Sequence, residues 1–287
     1  MGRWLVTGAA GMLGQDMCRL LRDRGEPVIA LDRAELDITD PAAVAGCLGR
    51  DKPDVVVNCA AWNAVDAAEE QEAEALRING TGVVNLASAC QQQGARLVQL
   101  STDYVFGRTE QRSYAEDDAP APVSAYGRSK LAGERAALGM ASGGYVVRTA
   151  WLYGAHGPSF VRTMLRRARA GSPAQVVNDQ RGQPTWTVDV AAQIFALIAA
   201  GAEPGIYHAT SSGVTTWHGL AREVFRLAGA DPDQVAPVTS AAYPRPASRP
   251  RCSVLGHDAW ARIGVAPIGD WAAALARALP AVAADDC

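Results

Sequence analysis

At 287 residues the chain holds one large domain or two small ones, and with 48% hydrophobic and 20% charged residues it has the make-up of a soluble globular protein with ample material for a core. A net charge of −3, with arginines scattered instead of gathered in a stripe, argues against nucleic acid or an anionic membrane surface as partner, and no apolar run nears the roughly eighteen residues that span a bilayer. Cys18, Cys47, Cys59, Cys90, Cys252 and Cys287 form no C-x-x-C pair and no leader opens the chain, which points to buried thiols in a reduced cytoplasmic protein without disulfide framework or metal knuckle.

The first element is Arg3-Trp4-Leu5-Val6-Thr7, a short apolar run with strand character. It turns through Gly8-Ala9-Ala10-Gly11-Met12-Leu13-Gly14 into an amphipathic helix pattern, Asp16 to Arg24. Strand, glycine turn and helix make the first half of a dinucleotide-binding unit, here spaced Gly-x-x-Gly-x-x-Gly. Gly8 permits the tight turn, Gly11 lets backbone N–H groups approach a pyrophosphate, and Gly14 lets the helix lie close on the strand. A second strand, Val28-Ile29-Ala30-Leu31, ends in Asp32 and Arg33. A carboxylate there accepts from a ribose and argues for NAD(H), whereas a guanidinium pairs with a 2′-phosphate and argues for NADP(H). Both stay open, with NADPH favoured.

Asp54-Val55-Val56-Val57-Asn58 and Arg96-Leu97-Val98-Gln99-Leu100 are further strands, separated by a helix pattern from Thr81 to Gln92. Runs this apolar belong in a parallel sheet covered on both faces. After the third strand, the small residues of Cys59-Ala60-Ala61 and the Trp62-Asn63 that follows suit a loop lying against a cofactor. After the fourth, Ser101-Thr102-Asp103-Tyr104-Val105-Phe106 delivers hydroxyls and a carboxylate to the same sheet edge, where ligands bind in such folds. Tyr126 and Lys130 are one helical turn apart, so a proton donor and a cation project from one face. A nearby ammonium favours the phenolate and draws a Tyr toward neutral pH, so the pair reads as general acid/base machinery. Gly144 to Arg148 is the next strand, Phe160 to Ala170 an Arg-rich helix with a solvated basic face, Val188 to Ala200 an apolar helix returning to the first domain, and the tail from Ala281 to Cys287 a frayed end.

Taken together, the Gly8, Gly11 and Gly14 turn, the Ser101 to Phe106 run and the Tyr126 and Lys130 pair resemble the extended short-chain dehydrogenase/reductase superfamily. More narrowly, Val177-Asn178-Asp179-Gln180-Arg181-Gly182-Gln183-Pro184-Thr185 and Tyr243-Pro244-x-Pro246-Ala247-x-Arg249-Pro250 resemble the dTDP-4-dehydrorhamnose reductases, over nearly the whole chain. The resemblance implies an α/β fold: a doubly wound parallel sheet of Rossmann type in residues 1–150 plus about 187–203, with a smaller substrate domain from about 151–186 and 204–287. It implies reduction of the C4 ketone of a dTDP-linked 4-ketohexose by NADPH, with NADH the other candidate.

By that resemblance Tyr126 donates the proton, Lys130 lowers its pKa and holds the nicotinamide ribose, and Thr102 hydrogen-bonds the carbonyl. Gly8, Gly11, Met12, Leu13 and Gly14 are expected at the pyrophosphate, Asp32 and Arg33 at the ribose, Asp37 and Ile38 near the adenine, and Ala60, Ala61, Trp62 and Asn63 along the nicotinamide side. Asp37-Ile38 reads equally as a capping pair before Pro41. Asp103, Trp151, Asn178, Gln183, Thr185 and Arg249 are expected on the substrate, Arg249 at its diphosphate. Two departures matter. Val188 stands where some relatives carry a metal-bound glutamate, so no structural metal is expected and a homodimer is left open. Trp62-Asn63 replaces a frequent His-Thr, which would reshape the sugar pocket. The rival readings are a 4-ketoreductase for another deoxysugar of antibiotic assembly, such as a dihydrostreptose synthase, and a non-catalytic dinucleotide-binding regulatory subunit.

Overall fold

Six parallel strands lie side by side, and the order in which they pair explains where a ligand can sit. In chain order the first part contains β1 (Trp4–Thr7), α1 (Met12–Asp23), β2 (Val28–Leu31), α2 (Pro41–Asp51), β3 (Val55–Asn58), α3 (Val65–Ala68), α4 (Glu72–Leu76), α5 (Gly82–Gln93), β4 (Arg96–Thr102), α6 (Ala125–Leu138) and β5 (Tyr145–Thr149). The computed structural model describes residues 2–107 and 112–284. β1 pairs with both β2 and β3, β3 with β4, and β4 with β5, all in parallel. The chain therefore doubles back between β1 and β3, and a crevice opens beyond the carboxyl ends of those strands.

Alternation along each strand sends side chains to two separate cores. Trp4, Val6, Val55, Val57 and Val98 face α1 and a later helix, α8 (Thr187–Ala199), through Met17, Leu21, Ile194 and Leu197. Leu5, Val56, Leu97 and Val146 face α2 and α5 through Leu48, Val83 and Leu86. Each such side chain taken fully out of water contributes about 1.5–3 kcal/mol. Both faces are covered, as the near-continuous valine runs predict.

The expected return of the Val188 to Ala200 segment is found, as α8, but the sheet runs past the boundary placed near residue 203. Gly205–His208 is its sixth strand, paired with β5 from Gly205↔Tyr145 to His208↔Arg148. Trp260, on α10 (Asp258–Arg262), and Ile268 also enter the first core. The second part is smaller: α7 (Phe160–Arg169), α9 (Trp217–Leu227) and α11 (Trp271–Ala284) pack around Tyr153, Val176, Phe225 and Leu275, beside the paired strands Ala174–Val177 and Val235–Val238. Two expectations change here. Arg162 of α7 is buried and its guanidinium donates to the Ala155 carbonyl, so that helix is not basic on a purely solvated face. Ala281–Ala284 continue α11, with Val282 buried, while residues 285–287, the rest of the expected frayed tail, lie outside the described residues. Among the described residues no helix is long and apolar enough to cross a membrane.

Candidate active site

The glycine turn after β1 has the form needed to receive a diphosphate. Gly8 has φ of +62°, and Gly11 is the N-cap of α1 with no side chain capping it and no acidic residue in the first turn. The first-turn N–H groups of Met12, Leu13 and Gly14 thus have neither a side-chain partner nor a competing carboxylate, the arrangement that binds phosphate at a helix N-terminus. A Cβ on Gly14 would lie 2.3 Å from the Gly8 carbonyl oxygen, and one on Gly8 would lie 2.6 Å from the Ala60 backbone nitrogen. The turn is therefore pressed against the Cys59-Ala60 loop, and these residues fit a dinucleotide.

The ribose end is more committed than the sequence suggests. Asp32 Oδ1 accepts from the Ala34 and Glu35 backbone N–H groups at 2.8 and 3.1 Å, while Arg33 is exposed beside it. Asp37 Oδ1 accepts from the Thr39 N–H and hydroxyl, which holds its carboxyl below the usual range, and the α2 cap is Asp40. Asp37 is thus the lock of a turn, and Ile38 is buried in the core at 3% exposure, so its side chain does not reach the cleft. A buried ladder then crosses the strand ends: Thr7 Oγ1 donates to Asn58 Oδ1 at 2.6 Å and Asn58 Nδ2 to Gln99 Oε1 at 2.7 Å. It fixes the base of the loop carrying Ala60, Ala61, Trp62 and Asn63. Sequence reasoning missed Asn79, which lies in a π-helical turn (Arg77–Thr81), accepts from the Trp62 N–H at 2.9 Å, and donates to the Trp62 carbonyl and to Ser129 Oγ at 3.0 Å each. The only local signal was an Asn on an otherwise apolar helix face.

The side chains expected to react meet on β4 and α6. Ser124 caps α6 by accepting from the Gly127 N–H at 3.1 Å, and Glu69 accepts from the Ala125 N–H at 2.9 Å, which fixes where the helix begins. Tyr126 packs edge-on against Tyr104, with ring centroids 5.6 Å apart, and its phenol is within hydrogen-bonding reach of the Thr102 hydroxyl. Thr102 Oγ1 donates to Asp103 Oδ1 at 3.0 Å and accepts from the Tyr104 N–H at 3.2 Å. Lys130 Nζ donates to the Leu100 carbonyl at 2.7 Å.

The charges differ from the expectation in one respect. Burial pushes the Tyr126 phenol above its ordinary value, and nearby Asp103 and Tyr104 add to this, while Thr102 opposes it. Lys130 is not among the groups that act on it, and burial lowers Lys130 itself to about 8. A raised phenol stays protonated, the state a proton donor needs. Burial also raises the Asp103 carboxyl to about 6, against hydrogen bonds from Ser253 and Thr102.

A cavity of about 690 Å³ opens in the smaller part, lined among others by Phe160, Arg167, Trp217, Tyr243, Arg245 and Arg249. Tyr126 does not line it; Arg249 and Tyr104 stand between. Trp151 stacks on Trp217 with centroids 3.7 Å apart, and its backbone has φ of +46°, a conformation that costs a non-glycine residue about 1–3 kcal/mol. Arg249 grips Asp66 with both terminal nitrogens, at 2.9 Å each, so in this structure its fork is filled by a carboxylate at the cavity wall. Three of the residues expected on the substrate have partners within the protein. Gln183 is buried and clamped to Ser211 and Leu255 backbone groups, and Thr185, fully buried, accepts from the Ser211 N–H at 3.2 Å. Both hold loops together, and neither lines that cavity. Asn178 is exposed and accepts at 2.7 Å from the hydroxyl of Thr216, the N-cap of α9.

Residues 2–284 match the model of the RmlD substrate binding domain. The chain belongs to this family. It is 53% identical over 285 residues to a dTDP-4-dehydrorhamnose reductase of Streptomyces griseus, covering 98% of this chain and 94% of that one. It is 52% identical over 285 residues to a dTDP-4-keto-6-deoxy-D-glucose reductase of Streptomyces niveus, covering 99% of both. Among solved structures, the dTDP-4-dehydrorhamnose reductase of Bacillus anthracis in complex with NADP superposes with a TM-score of 0.94 at 34% identity, over 97% of this chain and 99% of that one. An RmlD-type fold with a dinucleotide crevice on one side and an aromatic, arginine-rich cavity on the other accounts for both ends of the cleft.

Proposed function

We propose that this protein reduces the C4 ketone of a dTDP-4-keto-6-deoxy-L-hexose with NADPH, NADH being the alternative donor. The observation that carries this reading is the convergence of Tyr126, Thr102 and Lys130 at the carboxyl edge of the sheet, in a chain similar end to end to reductases of dTDP-linked ketosugars. When bound, the nicotinamide supplies the hydride. Tyr126 gives its proton to the carbonyl oxygen as negative charge develops there, and Thr102 turns its hydroxyl from Asp103 toward that oxygen. Lys130, a buried cation one turn along α6, holds the nicotinamide ribose in this reading.

Trp151 and Asp103 flank the sugar in this reading, and the cavity takes the nucleotide, whose diphosphate draws Arg249 from Asp66. Arg249→Gln is expected to raise KM for the ketosugar roughly 10- to 100-fold with little change in kcat, the scale of a lost charged hydrogen bond, read by steady-state kinetics. The five free cysteines described, four of them buried, suit a reducing cytoplasm.

A second reading keeps the chemistry and changes the sugar. Relatives of near-equal identity carry different ketosugar names, and the half-buried indole of Trp62, which packs against the cluster holding Tyr126 and donates to the Ala64 carbonyl at 3.0 Å, stands where it can select the sugar. The decisive assay follows NADPH oxidation over a small panel of dTDP-4-ketohexoses, with product stereochemistry read by NMR. The expected result is turnover of dTDP-4-dehydrorhamnose to an L-configured product. Turnover of another member alone would favour the second reading, and no turnover with tight binding to a partner enzyme would favour a regulatory subunit.

A further inference from the structure

Directly behind Lys130 lies a pair of buried charges to which the chemistry above assigns no part. Glu134 follows Lys130 by one turn of α6, and Arg148 stands on β5 opposite Ser101 of β4. Arg148 Nε and Nη2 donate to Glu134 Oε1 and Oε2 at 2.8 and 2.7 Å, and Ser101 Oγ donates to Glu134 Oε1 at 2.5 Å. The two charged side chains are 1% and 2% exposed. Stability alone is a weak reason for such a pair, because removing two ions from water largely offsets their attraction.

Its surroundings are otherwise closed. The Arg148 guanidinium lies 4.9 Å over the Phe106 ring, and its Nη1 is 3.4 Å from His208 Nε2. His208 is neutral there, lowered to about 3 by burial and by Arg148. The side of the cluster that leads to the reaction is the one facing Lys130. The groups that act on that ammonium are Glu134 on α6, with Arg148 of β5 behind it, and Cys59 from the loop after β3, while its Nζ donates to the Leu100 carbonyl at the end of β4. Cys59 is pushed up to about 12 by burial and stays a neutral thiol, so Glu134 is the carboxylate that supports the ammonium against desolvation.

We propose that Glu134 and Arg148 are positioning residues for the reduction: the pair pins the catalytic turn of α6 to the ends of β4 and β5, and it sets the net charge that Lys130 experiences. This rests on the role given to Lys130 above. The sign is fixed by electrostatics. Removing the carboxylate in Glu134→Gln leaves an unbalanced guanidinium, so the ammonium loses its proton at lower pH. Removing the guanidinium in Arg148→Gln frees the negative charge of Glu134, so the proton is held to higher pH.

The test needs no substrate, because the chain has only two lysines, Lys52 and Lys130. In protein labelled at the lysine side chains, two signals titrate, and Lys52 on the surface serves as the internal reference in each spectrum. The expected result is a Lys130 midpoint shifted down by about one pH unit in Glu134→Gln and up by about one in Arg148→Gln, the size for a unit charge at this range. The alkaline limb of kcat for the ketosugar should move in the same directions, since activity is present below the Lys130 midpoint and lost above it. If one charge variant fails to fold, the other decides. If both fail, Ser101→Ala decides, since it keeps both charges, leaves the Glu134 charge less shared and should raise the midpoint by a fraction of a unit. Midpoints that stay at the parental value in the folded variants overturn the proposal. A shifted midpoint in a protein that turns over no ketosugar would instead count against the assigned reaction alone.

Discussion

Replacing Tyr126 by Phe is expected to leave NADPH affinity unchanged and to lower kcat at least ~10²-fold, the range for losing a general acid. The substitution removes one hydroxyl and nothing that holds the fold. The ring remains edge-on to Tyr104, packed with Trp62, Ala68, Ala75 and Ala125, and the Tyr126 carbonyl still accepts from Ser129 Oγ at 2.8 Å. What disappears is the proton that the structure keeps in place by burial. Thr102 retains its bond to Asp103 and can still polarise a carbonyl, so a slow residual rate is expected in place of none. Single-turnover hydride transfer, followed by NADPH absorbance, separates the chemical step from product release. A variant that reduces substrate at the parental rate would remove Tyr126 from the role of acid.

Gly14→Ala is expected to weaken NADPH binding roughly 10-fold or more and to lower the melting temperature, on the scale of about 1–3 kcal/mol for an overpacked contact. The added carbon would sit 2.3 Å from the Gly8 carbonyl oxygen and 2.8 Å from the Ala9 Cα, both backbone atoms that no side-chain rotation can move aside. Relief requires the turn to open, and that displaces the first-turn N–H groups of α1. Gly46→Ala in α2 is the matching control, because a carbon there meets nothing within 4 Å and removes the helix penalty of glycine. Cofactor titration by NADPH fluorescence and a thermal melt distinguish the two. Equal affinities in the two variants would show that the turn does not cradle the diphosphate.

Features set by spacing along the chain were legible, and features set by closure between distant segments were not. The glycine turn and the Tyr126 to Lys130 step are local, so one turn of helix or one tight bend suffices to foresee them. The β1, β3, β4 and β5 strands are marked by short apolar runs, whereas Gly205–His208, with a Gly and a His in four residues, is not. The Asp66 to Arg249 pair joins residues 183 apart, and the Trp151 to Trp217 stack also joins separate segments. No periodicity encodes such meetings. Gln183 and Thr185 stand in a specific motif and hold backbone, and loop closure is as good a reason for a motif as ligand contact.

The late strand and the Trp260 side chain carry a consequence for how the molecule comes off the ribosome. When the first 150 residues have emerged, β5 presents an unpaired edge, Trp4 and Val6 lack the α8 side chains that cover them, and the strand that will close that edge is more than fifty residues from being made. The Rossmann half cannot complete itself as an autonomous unit in the order of synthesis. Its final closure waits on a segment that follows the first strands and helix of the smaller half, so the two halves become native together, and a nascent chain arrested between them exposes a sheet edge to its neighbours.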